Sequence, residues 1–363
     1  MSKLKNNVAI IGTQGIPNKY GGFETLVEYL VEHLASEVNL TVICSSKVYT
    51  HKPRFHKGCR LHYINFKANG IQSVLYDSYS LYKTLKKYDK VLILGTSAGL
   101  IMPIISGYRN KFVLNIGGVD WKRSKWNFIG KLFLKYSEYM MIKYSDTIIS
   151  DNKGIKEYVF NRYHRKSRII PYGGDHAFRV NITEKYLSLF PFLSEKFAFG
   201  LARIQADNNI DIILEVFKGN SDMLLVFVGN WDSNNYGRSL KEKYRSSSNI
   251  KMIDAIYKKE MLNVLRSNCS VYIHGHSAGG TNPALVEAMY LGLPLFAYAS
   301  IYNRHTTEDK AQYWNNGHDL EYLINNKSQV VLDIMGKELQ EIAKNKYTWK
   351  IVTSKYKELL GQG

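Results

Sequence analysis

His274-Gly275-His276-Ser277-Ala278-Gly279-Gly280-Thr281-Asn282-Pro283-Ala284-Leu285-Val286-Glu287-Ala288-Met289 follows directly on the apolar run Val271-Tyr272-Ile273. A short β-branched run reads as a strand and adjacent glycines as a tight connection. Thr281 or Asn282 ahead of Pro283 reads as a helix start, because proline lacks the N–H that a first helical residue leaves unused. Strand, glycine turn and capped helix in that order make one βα unit.

Similar units recur along the chain. Strand-like runs fall at 8–11, 40–43, 61–64, 91–94, 112–115, 147–149 and 168–170, then at 197–201, 224–228, 250–253, 271–273 and 294–297. Amphipathic stretches separate them, such as 24–34 with Leu26, Val27, Leu30, Val31 and Leu34 on one face. Alternating strands and helices, with strands of buried composition, imply parallel sheets covered on both faces. Two such series in tandem predict an α/β protein of two doubly wound domains, with a break in 172–195, where Gly173-Gly174 precedes a polar stretch and Pro191. The expected spans are 1–175, 176–345 and a final helical segment, 346–363, patterned by Trp349, Val352, Tyr356 and Leu359-Leu360.

Bulk properties agree. The 363 residues exceed one ordinary core, and 45% hydrophobic with 22% charged residues excludes wholesale disorder. Cys44, Cys59 and Cys269 are too few and too scattered for a disulfide framework, which predicts reduced thiols in a cytoplasmic protein. The apolar run at 8–11 is too short for a signal-peptide core, and no run approaches the ~20 residues of a spanning helix. The net charge of +18 is uneven: residues 1–175 carry 27 basic against 12 acidic side chains, residues 176–363 carry 22 against 19. Such asymmetry points the first half toward an anionic partner, and charge alone does not separate a membrane from a nucleic acid.

Open α/β sheets bind ligands beyond the carboxyl ends of their strands, so the segments just after these runs carry the candidate chemistry. After the first run comes Gly12-Thr13-Gln14-Gly15-Ile16-Pro17-Asn18-Lys19-Tyr20-Gly21-Gly22-Phe23-Glu24. It has neither dinucleotide-fingerprint nor Walker spacing, and reads either as a ligand loop or as a tight turn. In the 274–289 segment, the Ala284 and Leu285 N–H groups are expected to point out of the helix start toward a diphosphate. Glu287, about one turn in, is placed to accept hydrogen bonds from a sugar hydroxyl. Arg203, after the run 197–201, offers a permanently charged fork suited to a diphosphate leaving group. Asp120, in Gly117-Gly118-Val119-Asp120-Trp121-Lys122-Arg123, either orients the reacting sugar or caps a turn. In 121–144, Lys122, Arg123, Lys125, Lys131, Lys135 and Lys143 alternate with Trp126, Phe128, Ile129, Leu132 and other apolar residues. That is the pattern of an interfacial helix on anionic lipid, or of a core helix with a solvated basic face. His274 and His276 lack a third ligand at convincing spacing, and there is no Asp-x-Asp motif, so no metal site is expected.

Taken together, Arg203 and Asn282-Pro283-Ala284-Leu285-Val286-Glu287-Ala288-Met289 resemble the donor site of the retaining GT-B glycosyltransferases of family 4. More narrowly, 12–24, 120–126, Ser150-Asp151-Asn152, 274–289, Asn303-Arg304 and Thr306-Thr307 look like the rhamnosyltransferase subgroup that builds capsule and cell-wall polysaccharides. The resemblance spans about residues 8–315. It implies a GT-B fold, two Rossmann-like domains facing a cleft, with the last helix crossing back to the first domain. Glu287 would hold the donor's ribose and Arg203 the diphosphate. The 279–285 turn, with Gly280, Thr281 and Asn282, would bind phosphate and sugar, and Ile256 would hold the base through its backbone. Gly15 and Gly22 would join the donor site, while Asp120 would act with Arg203 in catalysis. Glu24, Trp121, Lys122, Arg123, Lys125 and Trp126 would face acceptor and membrane. The leaving diphosphate would deprotonate the acceptor, so no cofactor and no carboxylate pair is required. Two positions depart from the family: Gly279 stands where a second Glu is usual, and Asn208 where a Lys is usual. The implied partners are a nucleotide sugar, dTDP-rhamnose first, a lipid-linked saccharide, and the inner face of the cell membrane. A nucleotide-sugar epimerase of the same fold is the nearer rival. A nucleic-acid-binding protein is the more distant one, and no binding module for it is present.

Overall fold

The computed structural model describes residues 5–18, 21–70, 72–123, 126–219, 223–326 and 328–361. They fall into two compact units: Met1–Tyr172 with Trp349–Gly363, and Gly173–Thr348.

The first unit is built on strands β1 (Asn7–Ile11), β2 (Asn39–Ser45), β3 (Phe55–His56), β4 (Cys59–Ile64), β5 (Lys90–Leu94), β6 (Phe112–Asn115), β7 (Thr147–Ser150) and β8 (Arg168–Ile169). Their order is β3-β4-β2-β1-β5-β6-β7-β8, every neighbouring pair parallel except the β3–β4 hairpin. Val8 to Ile11 and Val91 to Leu94 are buried on both faces of the sheet, which is why these strands read as continuous apolar runs rather than alternating ones. The closing helix Trp349–Leu360 belongs to this unit. Its buried Trp349, Val352, Tyr356 and Leu360 form one stripe, Trp349 stacks on Tyr29 at 4.2 Å, and the Tyr356 hydroxyl accepts from Asn115 Nδ2 at 2.7 Å.

The second unit carries β9 (Phe197–Leu201), β10 (Leu224–Val228), β11 (Ile250–Ile253), β12 (Val271–His274), β13 (Leu295–Tyr298) and β14 (Gln312–Trp314), all parallel, in the order β11-β10-β9-β12-β13-β14. Strand order reverses between β1 and β5 in the first sheet and between β9 and β12 in the second. At such a switch point, consecutive helices leave on opposite faces and open a crevice beyond the carboxyl ends. The two domains are the doubly wound α/β sheets that the apolar runs predict. Two strands lie outside those runs: β3 has only two residues, and β14 opens on a glutamine. Among the described residues, no helix is long and apolar enough to cross a membrane.

Candidate active site

At the switch point of the second sheet, the loops leaving β9 and β12 are tied together. Asn208 donates from Nδ2 to the Arg203 carbonyl at 2.6 Å and accepts at Oδ1 from His276 Nδ1 at 2.6 Å. Asn209 donates to the Gly275 carbonyl at 2.8 Å, and Ser277 donates its N–H to the Asp207 carbonyl at 3.0 Å. From the far side, Asn303, fully buried, donates to the His276 carbonyl at 2.9 Å. Arg203 is exposed at the start of this loop. Asn208, where the resemblance expects a lysine, thus organises backbone and a histidine instead of presenting a charge.

The helix Pro283–Tyr290 begins as its sequence predicts, with Asn282 as the cap and Pro283 at the first position. The expectation that the Ala284 and Leu285 N–H groups stand ready for an anion is corrected. Asn282 Oδ1 takes the Ala284 N–H at 2.9 Å, and the Asn282 carbonyl takes that of Leu285 at 3.1 Å. A good cap satisfies the very donors a ligand would otherwise use. Gly280 and Thr281, just before the cap, are buried, and Ile256 is half-buried after β11.

Glu287 is not a surface carboxylate. One oxygen is held by Arg266 Nη2 at 2.6 Å and the other accepts from His176 Nε2 at 2.7 Å. Arg266 is only 2% exposed. Burial alone would push the Glu287 carboxyl up, but the Arg266 guanidinium and the His176 hydrogen bond outweigh it and hold it near 2. The carboxylate is therefore charged throughout the physiological range, with lone pairs left over for further donors. Neither Arg266 nor His176 stands out in the sequence, because their roles depend on contacts 21 and 111 residues away along the chain. His274, at the end of β12, is kept neutral by burial, down to about 3.

In the first unit the sequence-predicted residues divide. Gly15, at φ +117°, lies so close to Cys44 that a Cβ would sit 2.5 Å from its sulfur, which makes it a packing requirement of a tight turn. Gly22 opens the helix Gly22–Leu34. Glu24 is 8% exposed and its Oε1 accepts the Gln14 N–H at 2.9 Å. Glu24 thus braces its own loop through that oxygen. Asp120 begins a short 3-10 turn, Asp120–Lys122, and pairs with Arg123 Nε at 2.8 Å. Trp121 donates to the Tyr158 hydroxyl at 3.0 Å, with the Lys135 ammonium 4.4 Å from its ring centre.

The stretch 121–144 is not one helix. The helix is Phe128–Tyr144, capped by Asn127, so Lys122 and Arg123 lie outside it, Trp126 is half-buried just ahead of the cap, and Lys125 falls outside the described residues. Phe128 and Ile129 are each 75% exposed, and Leu132, Tyr136 and Tyr139 are also exposed. Glu138, the stretch's acidic residue, is buried and accepts from Tyr158 and Tyr163. Its charge is thereby removed from the outer face. Asp77 is a further buried acid the sequence does not flag; Ser97 donates to it. Among the described residues, no three His, Cys, Asp or Glu side chains converge as metal ligands would.

Residues 188–349 match the family glycosyl transferases group 1, and residues 5–175 match a domain of unknown function, DUF1972. The chain is a glycosyltransferase. Its fold is GT-B, as solved structures of low identity show. Sucrose-phosphate synthase from Thermosynechococcus elongatus superposes with a TM-score of 0.80 at 15% identity, covering 98% of each chain. The Anabaena protein HepE, in complex with UDP-glucose, gives 0.75 at 12% identity, again over 98% of each. WaaG, a glycosyltransferase involved in lipopolysaccharide biosynthesis, gives 0.73 at 13% identity over 98% of this chain and 100% of its own. No curated protein matches the sequence. In this glycosyltransferase the group 1 match contains Arg203, Asn208, Arg266, His276 and Glu287, while His176 lies ahead of it.

Proposed function

We propose that the enzyme moves a sugar from a nucleoside diphosphate, rhamnose from dTDP-rhamnose in the first instance, onto a lipid-linked saccharide at an anionic membrane surface, with retention and without a metal. The observation that carries this reading is the meeting of the Arg203 loop and the 275–287 segment at the switch point of the second sheet. Arg203 stands exposed just after β9, and Glu287 lies charged and enclosed one turn into the helix that follows β12. Arg203 would stabilise charge growing on the diphosphate as its bond to the anomeric carbon breaks. Glu287 would accept hydrogen bonds from the pentose hydroxyls. The departing diphosphate would take the acceptor's proton. The UDP-glucose bound to HepE supports a nucleotide-sugar donor. The exposed Phe128, Ile129 and Leu132 beside Lys131 and Lys135 support a lipid surface as the place of work.

A thermal-shift panel of nucleotide sugars tests the donor. A donor at 100 times its Kd adds about 2.7 kcal/mol to stability, which moves a domain of this size by several degrees. dTDP-rhamnose is expected to give the largest shift in the panel. A larger shift from UDP-glucose would reassign the donor, and a flat panel would remove nucleotide-sugar binding altogether. Activity unchanged by EDTA is the expected result for metal-free transfer.

A further inference from the structure

We propose that Arg266 and His176 are positioning residues of the donor site, fixing the Glu287 carboxylate in one orientation toward the hydroxyls of the donor's pentose. The proposal rests on the reading of Glu287 as the pentose contact. Three separate chain segments build the arrangement. Arg266 comes from the helix Lys259–Ser267 and Glu287 from Pro283–Tyr290, while His176 comes from the irregular segment that follows Gly173. That segment is strapped across both helices. A Cβ on Gly174 would lie 2.5 Å from the Val286 carbonyl oxygen and 3.0 Å from the Glu287 nitrogen, so only glycine lets the strap lie this close. Arg179 donates to the Leu291 carbonyl at 2.6 Å, just past one helix. The Val180 N–H donates to Ser267 Oγ at 3.1 Å, and Asn268 Nδ2 donates to the Val180 carbonyl at 2.8 Å, at the end of the other.

Each Glu287 oxygen thus has one protein donor from a different direction, which removes the torsional freedom of the carboxylate and leaves one lone-pair direction per oxygen for a ligand. Arg266 Nε has no partner among the described residues. A guanidinium installed only for stability would be expected to satisfy all its N–H groups, because a stranded buried donor is unfavourable. Here it directs its best hydrogen bond at one carboxylate.

The test is discrimination. Calorimetry would measure thymidine diphosphate and uridine diphosphate, each against its 3′-deoxy analogue, on the full-length wild type and on Arg266→Lys, His176→Leu, His176→Gln and Glu287→Gln. The wild type should favour the nucleotide with its 3′-hydroxyl by about tenfold or more, the scale of one hydrogen bond to a charged group. In Arg266→Lys and His176→Leu that ratio should fall to about threefold or less, while the affinity for the 3′-deoxy nucleotide stays within about twofold of wild type. His176→Gln, which retains an N–H near the same place, should restore much of the ratio. A variant that keeps the wild-type ratio while losing only melting temperature, or affinity for both nucleotides alike, assigns Arg266 and His176 to stability and overturns the proposal. A wild type without preference, matched by Glu287→Gln, would instead remove Glu287 from the pentose, and the proposal with it. Lysine and glutamine variants keep a donor beside the buried carboxylate, so the comparison does not depend on a variant that strands it.

Discussion

Arg203 is exposed while Glu287 is enclosed, and that difference governs what each side chain can do and how each was legible. A cation directly after a strand is visible from position alone, since the carboxyl end of a parallel sheet is where ligands gather. An exposed Arg makes its strongest contribution when an anion arrives, so its loss should appear in the chemical step. Arg203→Ala is expected to lower kcat by about 100-fold or more with a smaller change in donor KM, the signature of an interaction made chiefly in the transition state. Steady-state kinetics with a saturating acceptor would decide it: an intact kcat with a raised KM alone would reduce Arg203 to a passive contact. Glu287 was equally visible as a residue one turn into a capped helix, yet its partners were not. Arg266 sits in the last turn of a helix beside the buried Val264 and Leu265, where sequence offers no sign that its charge points inward.

At the scale of single elements, local chemistry marks one helix start in the sequence and a long mixed pattern hides another. Asn282 and Pro283 mark their helix without ambiguity, and Asn282→Ala should cost about 1 kcal/mol of stability, measurable by urea unfolding. A loss indistinguishable from zero would mean that the Ala284 N–H finds another acceptor. In 121–144, by contrast, the unbroken mixture of aromatic and basic residues conceals Asn127, whose side chain accepts the Gly130 N–H at 2.8 Å and starts the helix there. The helix Gln72–Thr84 carries a different signal that no pattern reveals. Burial pushes Asp77 up to about 7, and its Oδ1 has no partner among the described residues. Its folded value lies above the ordinary 3.8, so the protonated acid's contribution is complete below about pH 4 and is lost as pH rises toward 7. Asp77→Asn abolishes that loss, and Asn can still accept from Ser97. Relative to wild type, the variant should therefore gain on the order of a few kcal/mol between pH 4.5 and pH 8. Parallel stability curves for the two proteins across that range would show that Asp77 titrates normally.

Charge is a property of the whole molecule, and here it is divided by sequence before any fold is known. The first 175 residues carry +15 of the net +18, and the exposed apolar positions 128, 129 and 132 lie in that same part of the chain, as do Lys131 and Lys135. Each Lys or Arg near an anionic bilayer contributes about 1 kcal/mol, and the attraction fades within a Debye length, roughly 8 Å at physiological salt. A handful of such residues with a few inserted aromatic side chains gives attachment that is firm in dilute salt and reversible above it. The protein is accordingly expected to float with vesicles containing phosphatidylserine at low salt and to dissociate as salt rises, while neutral vesicles hold it weakly. Changing Lys122, Lys131 and Lys135 together to Gln should remove most of that binding. Nucleotide binding should persist in the same variant, because Arg203 and Glu287 belong to the other unit. Replacing Ile129 with Ser should weaken attachment even at low salt, which separates insertion from simple counterion attraction. Double-stranded DNA on the same preparation is the control: salt-sensitive binding as strong as that to vesicles would assign the charge to a polyanion in general. Recovery of the wild type in the unbound fraction, with anionic vesicles in dilute buffer, would leave the basic face as solvated surface and place the acceptor in solution.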